Sequence, residues 1–311
     1  RPTFEATHSS IGAYRACPRL YWYQYVALGS GIKSRYLSDS LAIGSAYHAA
    51  LEDYLTARRD ARVLPEDWPV GLVRDWLKAN EGSVRAEDVE DIYTHAMGLT
   101  RAQRKKFDAL EDFTVLEVEK PFRVRLDTGV YLKGKIDGLG THHGNPWLVE
   151  HKTASRVDGD YLEGIPADGQ ILRYVFAARA LRVNVVGVLY TIAKKSAIYG
   201  RKNEADESRR QRILGAYAGD DPTIHEWARV SDDDVTRVVA NTIRTIRDIG
   251  RAERFKGPWS QNENACFGRF GKCPFYFPCI QQPWKKSSGV PPIGFLTKTT
   301  KHEELETACS T

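Results

Sequence analysis

No run of eighteen apolar residues occurs in the 311-residue chain, so no stretch of it reads as a membrane-spanning helix. The opening Arg1-Pro2-Thr3-Phe4-Glu5 has no apolar core of the kind a secretory signal needs. It also starts without methionine, which reads as a processed or trimmed end. Internal repeats and low-complexity tracts are absent, which excludes repeat architectures. No Gly-x-x-x-x-Gly-Lys-[Ser/Thr] loop is present, so the chain has no recognisable ATP-driven motor. Cysteine is scarce, five in all, and never spaced as Cys-x-x-Cys. Without a signal, these five are expected as reduced thiols in a cytosol, ligating a metal or buried, rather than as disulfides.

What is present is ordinary soluble-protein material: 42% hydrophobic and 27% charged residues, with a net charge of +5. A mild positive balance fits a polyanionic partner without demanding one. The basic residues come in groups: Arg101, Arg104, Lys105 and Lys106; Arg123, Arg125, Lys133 and Lys135; Arg209, Arg210 and Arg212. Each group is also what a solvated face looks like.

The pattern of elements predicts an α/β core with a helical insert. A helix over 9–27, capped by Ser9 or Ser10, breaks after Cys17 because Pro18 cannot continue it. Tyr47, Leu51 and Leu55 mark a helix over 41–58, and residues 60–112 read as a helical insertion. Strands follow at 113–118, 122–126, 130–139 and 146–152, then a helix over 168–182 and a buried strand over 183–192. The polar stretch 200–222 reads as a mobile loop. Ser231 caps a helix that Gly250 closes, and residues 283–311 read as a loose polar tail. Residues 1–282 are expected to form one domain, with a cysteine-rich segment at 257–282.

In Trp147-Leu148-Val149-Glu150-His151-Lys152, alternation puts Glu150 and Lys152 on one face and His151 on the other. Asp137, in Gly134-Lys135-Ile136-Asp137-Gly138, comes beside Glu150 if the two strands pair through the Thr141–Asn145 turn. Two carboxylates then offer oxygen ligands to Mg²⁺ or Mn²⁺. Such an ion polarises a phosphate oxygen and acidifies water, while Lys152 neutralises charge building on phosphorus. The plain alternative is a surface Glu–Lys pair across a hairpin. His48 lies beside the Tyr47/Leu51/Leu55 line, as a ligand or a partly buried ring. Gln170 and Tyr174 share a helical face, to touch a nucleotide or to satisfy each other.

Cys266, Cys273 and Cys279 are separated by six and five residues, wider than zinc-ribbon knuckles, and Cys17 stands far away in sequence. Four thiolates joining the two ends of the domain suit zinc or a [4Fe–4S] cluster; buried free cysteines are the third reading. Phe267, Phe270, Phe275, Tyr276 and Phe277 are placed to shield such a centre, and Cys309 is left over as a free thiol.

The order Cys-Pro-Arg-x-Tyr, Gly-x-x-x-His, Ile-Asp-Gly, Glu-x-Lys-Thr and Gln-x-x-x-Tyr, running from Cys17 to Cys279, resembles the PD-(D/E)XK nuclease superfamily. Within it the chain is similar to the RecB-type branch, which includes the iron–sulfur nucleases of CRISPR adaptation and of AddB. The resemblance implies a restriction-endonuclease-like core, a mixed sheet flanked by helices. It implies His48, Asp137, Glu150 and the His151 backbone carbonyl as ligands of Mg²⁺ or Mn²⁺, with Lys152 as the catalytic lysine. It implies Gln170 and Tyr174 as DNA contacts, and Cys17, Cys266, Cys273 and Cys279 as ligands of a [4Fe–4S] cluster, with zinc as the alternative. The expected activity is a metal-dependent deoxyribonuclease acting as an exonuclease on single-stranded DNA or DNA ends. With no motor of its own, it would borrow a helicase or recombination partner. The rivals are a DNA-end clamp that does not cut and an endonuclease.

Overall fold

The computed structural model describes residues 3–198, 204–219, 222–255, 258–268 and 271–305. Phe270, Cys309 and part of the expected 200–222 loop lie outside them. The elements in chain order begin with β1 (Phe4–Ala6), α1 (His8–Ala16), α2 (Pro18–Tyr25), β2 (Ile32–Ser34), α3 (Asp39–Arg59), α4 (Val70–Ala79) and α5 (Val89–Asp108). Next come β3 (Phe113–Asp127), β4 (Val130–His142), β5 (Asn145–Ala154), α6 (Gly159–Glu163), α7 (Gly169–Ala180) and β6 (Gly187–Lys194). The chain continues with α8 (Asp206–Ala218), β7 (Thr223–Arg229), α9 (Asp232–Arg254), β8 (Phe267–Gly268), β9 (Gly271–Lys272) and β10 (Phe295–Thr297). Among the described residues no helix is long and apolar enough to cross a membrane. The chain divides into two compact units.

One unit comprises residues 36–120 and 135–235. Its sheet has the order β4-β5-β6-β7, with β3 pairing β4. Strands β5 and β6 run parallel, while β4 with β5 and β6 with β7 run antiparallel, so the sheet is mixed. Helices α3, α5 and α8 share one core with Val149 and Leu189 of the sheet, built on Tyr47, Leu51, Leu55, Leu99, Phe107 and Ile213. Helix α7 packs on β5 and β6. Val149 and Glu150 project to opposite faces of β5, so helices flank the sheet on both sides. Gly138 suits the close pairing of β4 with β5, because a Cβ there would sit 3.2 Å from Val149 Cβ, tighter than ordinary contact.

Strands 113–118 and 122–126 were expected as separate, and the structure joins them in β3. Glu119 marks the seam, with φ of 47°, a left-handed conformation rare for a residue with a Cβ. Phe113 and Val115 are buried on odd positions, whereas Phe122 and Val124 are buried on even ones. Phe113 and Val115 face the α3/α5 core, while the segment from Pro121 belongs to the other unit, so each stretch buries the face its own unit covers.

The other unit comprises residues 3–35, 121–134 and 236–305 of the described chain. Here β1 pairs parallel with β4, Phe4 opposite Val130 and Ala6 opposite Leu132. The cap of α1 is Thr7, not Ser9 or Ser10: Thr7 Oγ1 accepts from the Ser10 N–H at 3.1 Å, and the Thr7 N–H donates to Ser10 Oγ at 2.9 Å. The helix breaks at Cys17, and Pro18 becomes the first residue of α2, where its missing N–H costs nothing.

Three further expectations are corrected. The stretch expected as a mobile loop contains α8, whose Ile213 and Tyr217 are buried in the α3/α5 core; β7 follows it. Helix α9 continues past Gly250 to Arg254. Gly250 is there for packing, since a Cβ would lie 2.2 Å from Phe4 Cδ1. The expected tail is pinned through residue 305: β10 pairs antiparallel with β2, Lys33 bonds Glu303 at 2.8 Å, and Thr7 Oγ1 donates to Glu304 at 2.9 Å.

If α8 is part of the core, Ile213→Ala costs about 2–5 kcal/mol in urea unfolding. A change within about 0.5 kcal/mol, the scale of a surface site, would return 206–218 to a loop.

Candidate active site

The site begins where two strands part. The β4–β5 ladder runs from His142 opposite Asn145 to Gly138 opposite Val149. One residue beyond it, Asp137 and Glu150 stand side by side. The His151 N–H donates to Asp137 Oδ2 at 2.9 Å, so a side-chain carboxylate takes a main-chain donor where the strands diverge. His48 arrives from α3, with Nδ1 3.7 Å from Asp137 Oδ2. Its ring lies 5.9 Å from the His151 ring, centroid to centroid.

Glu150 is only 1% exposed. Its Oε1 accepts from the Lys152 ammonium and from Gln170 Nε2 at 2.8 Å. Gln170 Oε1 in turn accepts from Lys152 Nζ at 3.0 Å, so Glu150, Lys152 and Gln170 close a ring of bonds. Glu150 Oε2 has no such partner despite its burial. Tyr174, buried one turn along α7, feels the charges of Glu150 and Asp137 after the larger effect of burial, and its phenol is raised. Asp168 caps α7 by accepting from the Gln170 N–H at 2.6 Å, which sets Gln170 at the helix start.

A residue outside the sequence-based set also belongs here. Glu119, His48 and Asp137 each offer a ligand atom, all within 4.8 Å of one another. Glu119 sits at the left-handed position of β3, and Lys135 pairs with its carboxylate.

The electrostatics follow from crowding in a poorly hydrated place. Burial, then the Glu119 charge, raises Asp137 to about 6. Burial, then Asp137, raises Glu150 to about 7. Glu119 is raised by burial too, with Lys135 opposing. Burial works against the Lys152 ammonium, but Glu150 and Asp137 outweigh it and its pKa is raised. Burial, then Lys152, depresses His48 to about 4, leaving a neutral ring with a free lone pair. On the opposite face, His151 Nδ1 is 2.6 Å from Thr191 Oγ1, and burial holds this ring neutral as well. Buried carboxylates with an orphaned oxygen and a neutral imidazole are a donor set for a hard divalent cation. The residues fit such an ion.

The cysteines behave differently. Cys17, Cys266, Cys273 and Cys279 are free and half-buried. Among the described residues, no three of their sulfur atoms lie within 4.8 Å of one another. A tetrahedral zinc site, with Zn–S near 2.3 Å, would bring them to about 3.8 Å. The sulfur atoms are therefore not gathered as a tetrahedral zinc site needs. The aromatic shield is also incomplete: Phe275 is buried, but Phe267 is 65% and Phe277 46% exposed.

The raised carboxylates make a signed prediction. The folded chain holds their protons more tightly than the unfolded chain, so they favour the metal-free fold at acid pH. That advantage is lost as pH rises through about 6 to 7. A dication must displace those protons, so its stabilisation grows over the same range. Melting with and without Mn²⁺ should show a clear rise in Tm at pH 8 and little at pH 5.5, with the difference flattened in Glu150→Gln. An equal rise at both pH values would separate the ion from these carboxylates.

Comparison with known proteins bears on the chain as a whole. No curated protein matches the chain. A solved structure of a candidate exonuclease from Eubacterium rectale is similar at 11% identity, with 89% of this chain and 93% of that chain covered and a TM-score of 0.46. A family model described as the PD-(D/E)XK nuclease superfamily matches residues 5–279. The Asp137, Glu150 and Lys152 constellation thus stands inside a match that spans most of the sequence, and the chain belongs to the PD-(D/E)XK nuclease superfamily.

Proposed function

We propose that this nuclease is a Mg²⁺- or Mn²⁺-dependent deoxyribonuclease of the RecB-type branch, acting as an exonuclease on single-stranded DNA or DNA ends. The observation that carries the reading is the state of Glu150: one oxygen tied by Lys152 and Gln170, the other buried and unpartnered beside Asp137. His48, Asp137, Glu150 and the His151 carbonyl hold the ion in this reading, with Glu119 as a further donor. When bound, the ion supplies Lewis acidity that polarises a phosphate oxygen and makes water nucleophilic near neutral pH. Lys152, kept charged by two carboxylates and oriented by Gln170, faces the charge that builds on the phosphoryl oxygens. Gln170 and Tyr174 position the strand. With no phosphate loop, the chain has no motor to open a duplex, which favours ends, exposed single strands or a helicase partner.

Glu150→Ala and Lys152→Ala should each lower cleavage of end-labelled single-stranded DNA by at least about 100-fold, with the fold retained. Closed circular DNA should survive the wild type. Undiminished cleavage by either variant would sink the site; nicked circles would make the enzyme an endonuclease. Binding without cleavage in both Mg²⁺ and Mn²⁺ would make it a clamp.

A second reading concerns the cysteines. Burial, then the neighbouring Cys266, Cys17 and Cys279, raises the Cys273 thiol against a hydrogen bond from the Phe275 main chain. Gln261 Nε2 donates to Cys279 Sγ at 3.0 Å, and the Asn262 N–H lies 3.4 Å from Cys17 Sγ. Four cysteines within electrostatic reach of one another, with amide donors, suit a [4Fe–4S] cluster, which stands between its ligands and needs no tight sulfur cage. Anaerobically purified protein should then be brown, with broad absorption near roughly 400 nm and bound iron, lost in Cys273→Ser. Stoichiometric zinc, or no metal, would replace the cluster with zinc or with free thiols.

A further inference from the structure

Two lysines stand at the acidic group, and they are held differently. Lys152 is fixed by two partners, Glu150 and Gln170. Lys135 reaches the site face from β4, two residues before Asp137 and so on the same side of the strand. The structure pairs it with Glu119, and its side chain keeps 20% of its exposure while Glu119 keeps 14%.

Glu119 is also one of the three residues whose ligand atoms gather within 4.8 Å. Its carboxylate therefore faces two claims, one from the ammonium already paired with it and one from a divalent cation. A dication and an ammonium on one half-buried carboxylate repel each other strongly. The lysine is the member free to move, since its charge rides on a flexible four-carbon stem. The Lys135 charge also reaches His48, Asp137 and Glu52, so its departure is felt across the donor set.

We propose that Lys135 is a movable countercharge: it neutralises Glu119 before the divalent cation binds, and then turns to a phosphate oxygen of the substrate strand. The inference rests on the nuclease reading above. It assigns to that site a second phosphate-binding lysine and an order of events, cation first and DNA second. A displaced ammonium beside carboxylates already committed to a cation is placed to pair with the phosphodiester backbone of a bound strand. In this role Lys135 contacts substrate, whereas in the resting protein it competes with the ion.

The test is a Mn²⁺ titration without DNA, read by the electron paramagnetic resonance of free Mn²⁺, on wild type, Lys135→Gln and Lys135→Arg. Removing the competitor should tighten Mn²⁺ binding by Lys135→Gln about tenfold, equivalent to about 1.4 kcal/mol. The same variant should raise KM for a single-stranded oligonucleotide, so the two affinities move in opposite directions. Lys135→Arg keeps the charge and should stay near wild type in both. Unchanged or weaker Mn²⁺ binding by Lys135→Gln, while wild type binds normally, overturns the countercharge and leaves the nuclease reading standing. A Lys135→Gln protein that lost its circular dichroism would shift the decision to Lys135→Arg, where tighter Mn²⁺ binding would also overturn the idea. Failure of wild type to bind Mn²⁺ would remove the site reading and this inference together. The Mn²⁺ readout needs no turnover, so it stands whatever the enzyme cuts.

Discussion

The unit that carries the candidate site is arranged around negative charge that has too little water. Glu119, Asp137 and Glu150 converge at one place, and a carboxylate buried near another resists ionisation. The chain does not relieve this crowding with hydrogen bonds alone, for Glu150 Oε2 is left without a donor. It surrounds the group with cations and keeps both nearby imidazoles neutral. An arrangement of this kind costs stability in the folded protein and is retained where a bound cation returns the cost.

The backbone provides the place. A hairpin brings Asp137 level with Glu150, and the loss of ladder pairing beyond Gly138 and Val149 frees the main chain of His151 to face the group. Helix α3 delivers His48 from one side, and the capped first turn of α7 delivers Gln170 from the other. Loop placement would leave these groups with more freedom; strands and helix starts hold them to a fraction of an ångström. His151 shows the economy of a period-two strand. Its main chain serves the site, while its ring anchors the other face through Thr191.

Much of this was legible in the sequence, for reasons that can be named. Alternation in β5 placed Glu150 with Lys152, and the length of the Thr141–Asn145 turn set Asp137 opposite Glu150. Both rest on local geometry, which short-range pattern records faithfully. Glu119 escaped because it takes a left-handed backbone conformation inside a strand, which alternation does not foresee. Helix α8 escaped because it is mostly polar, with Ile213 and Tyr217 alone fully buried, so its reason to be ordered lies in its partners. Strand β10 pairs with a three-residue strand far away in the chain, and Gly250 is explained by a ring, Phe4, near the other end. Long-range contacts of this sort leave little trace in a window of ten residues. The cysteines show the reverse failure. Their spacing suggested a shared centre, but spacing fixes chain length between ligands and not the distance between sulfur atoms.

The left-handed residue in β3 has a consequence for how this gene can change. Because Phe113 and Val115 point inward on odd numbers and Phe122 and Val124 on even ones, the interval between them acts as a counted length. Substitutions there alter one side chain at a time. Loss or gain of a single residue would reverse the facing of a whole strand segment, exposing either the Phe113 side or the Phe122 side and turning Glu119 away from its partners. Selection on this stretch should therefore conserve its length more strictly than its spelling.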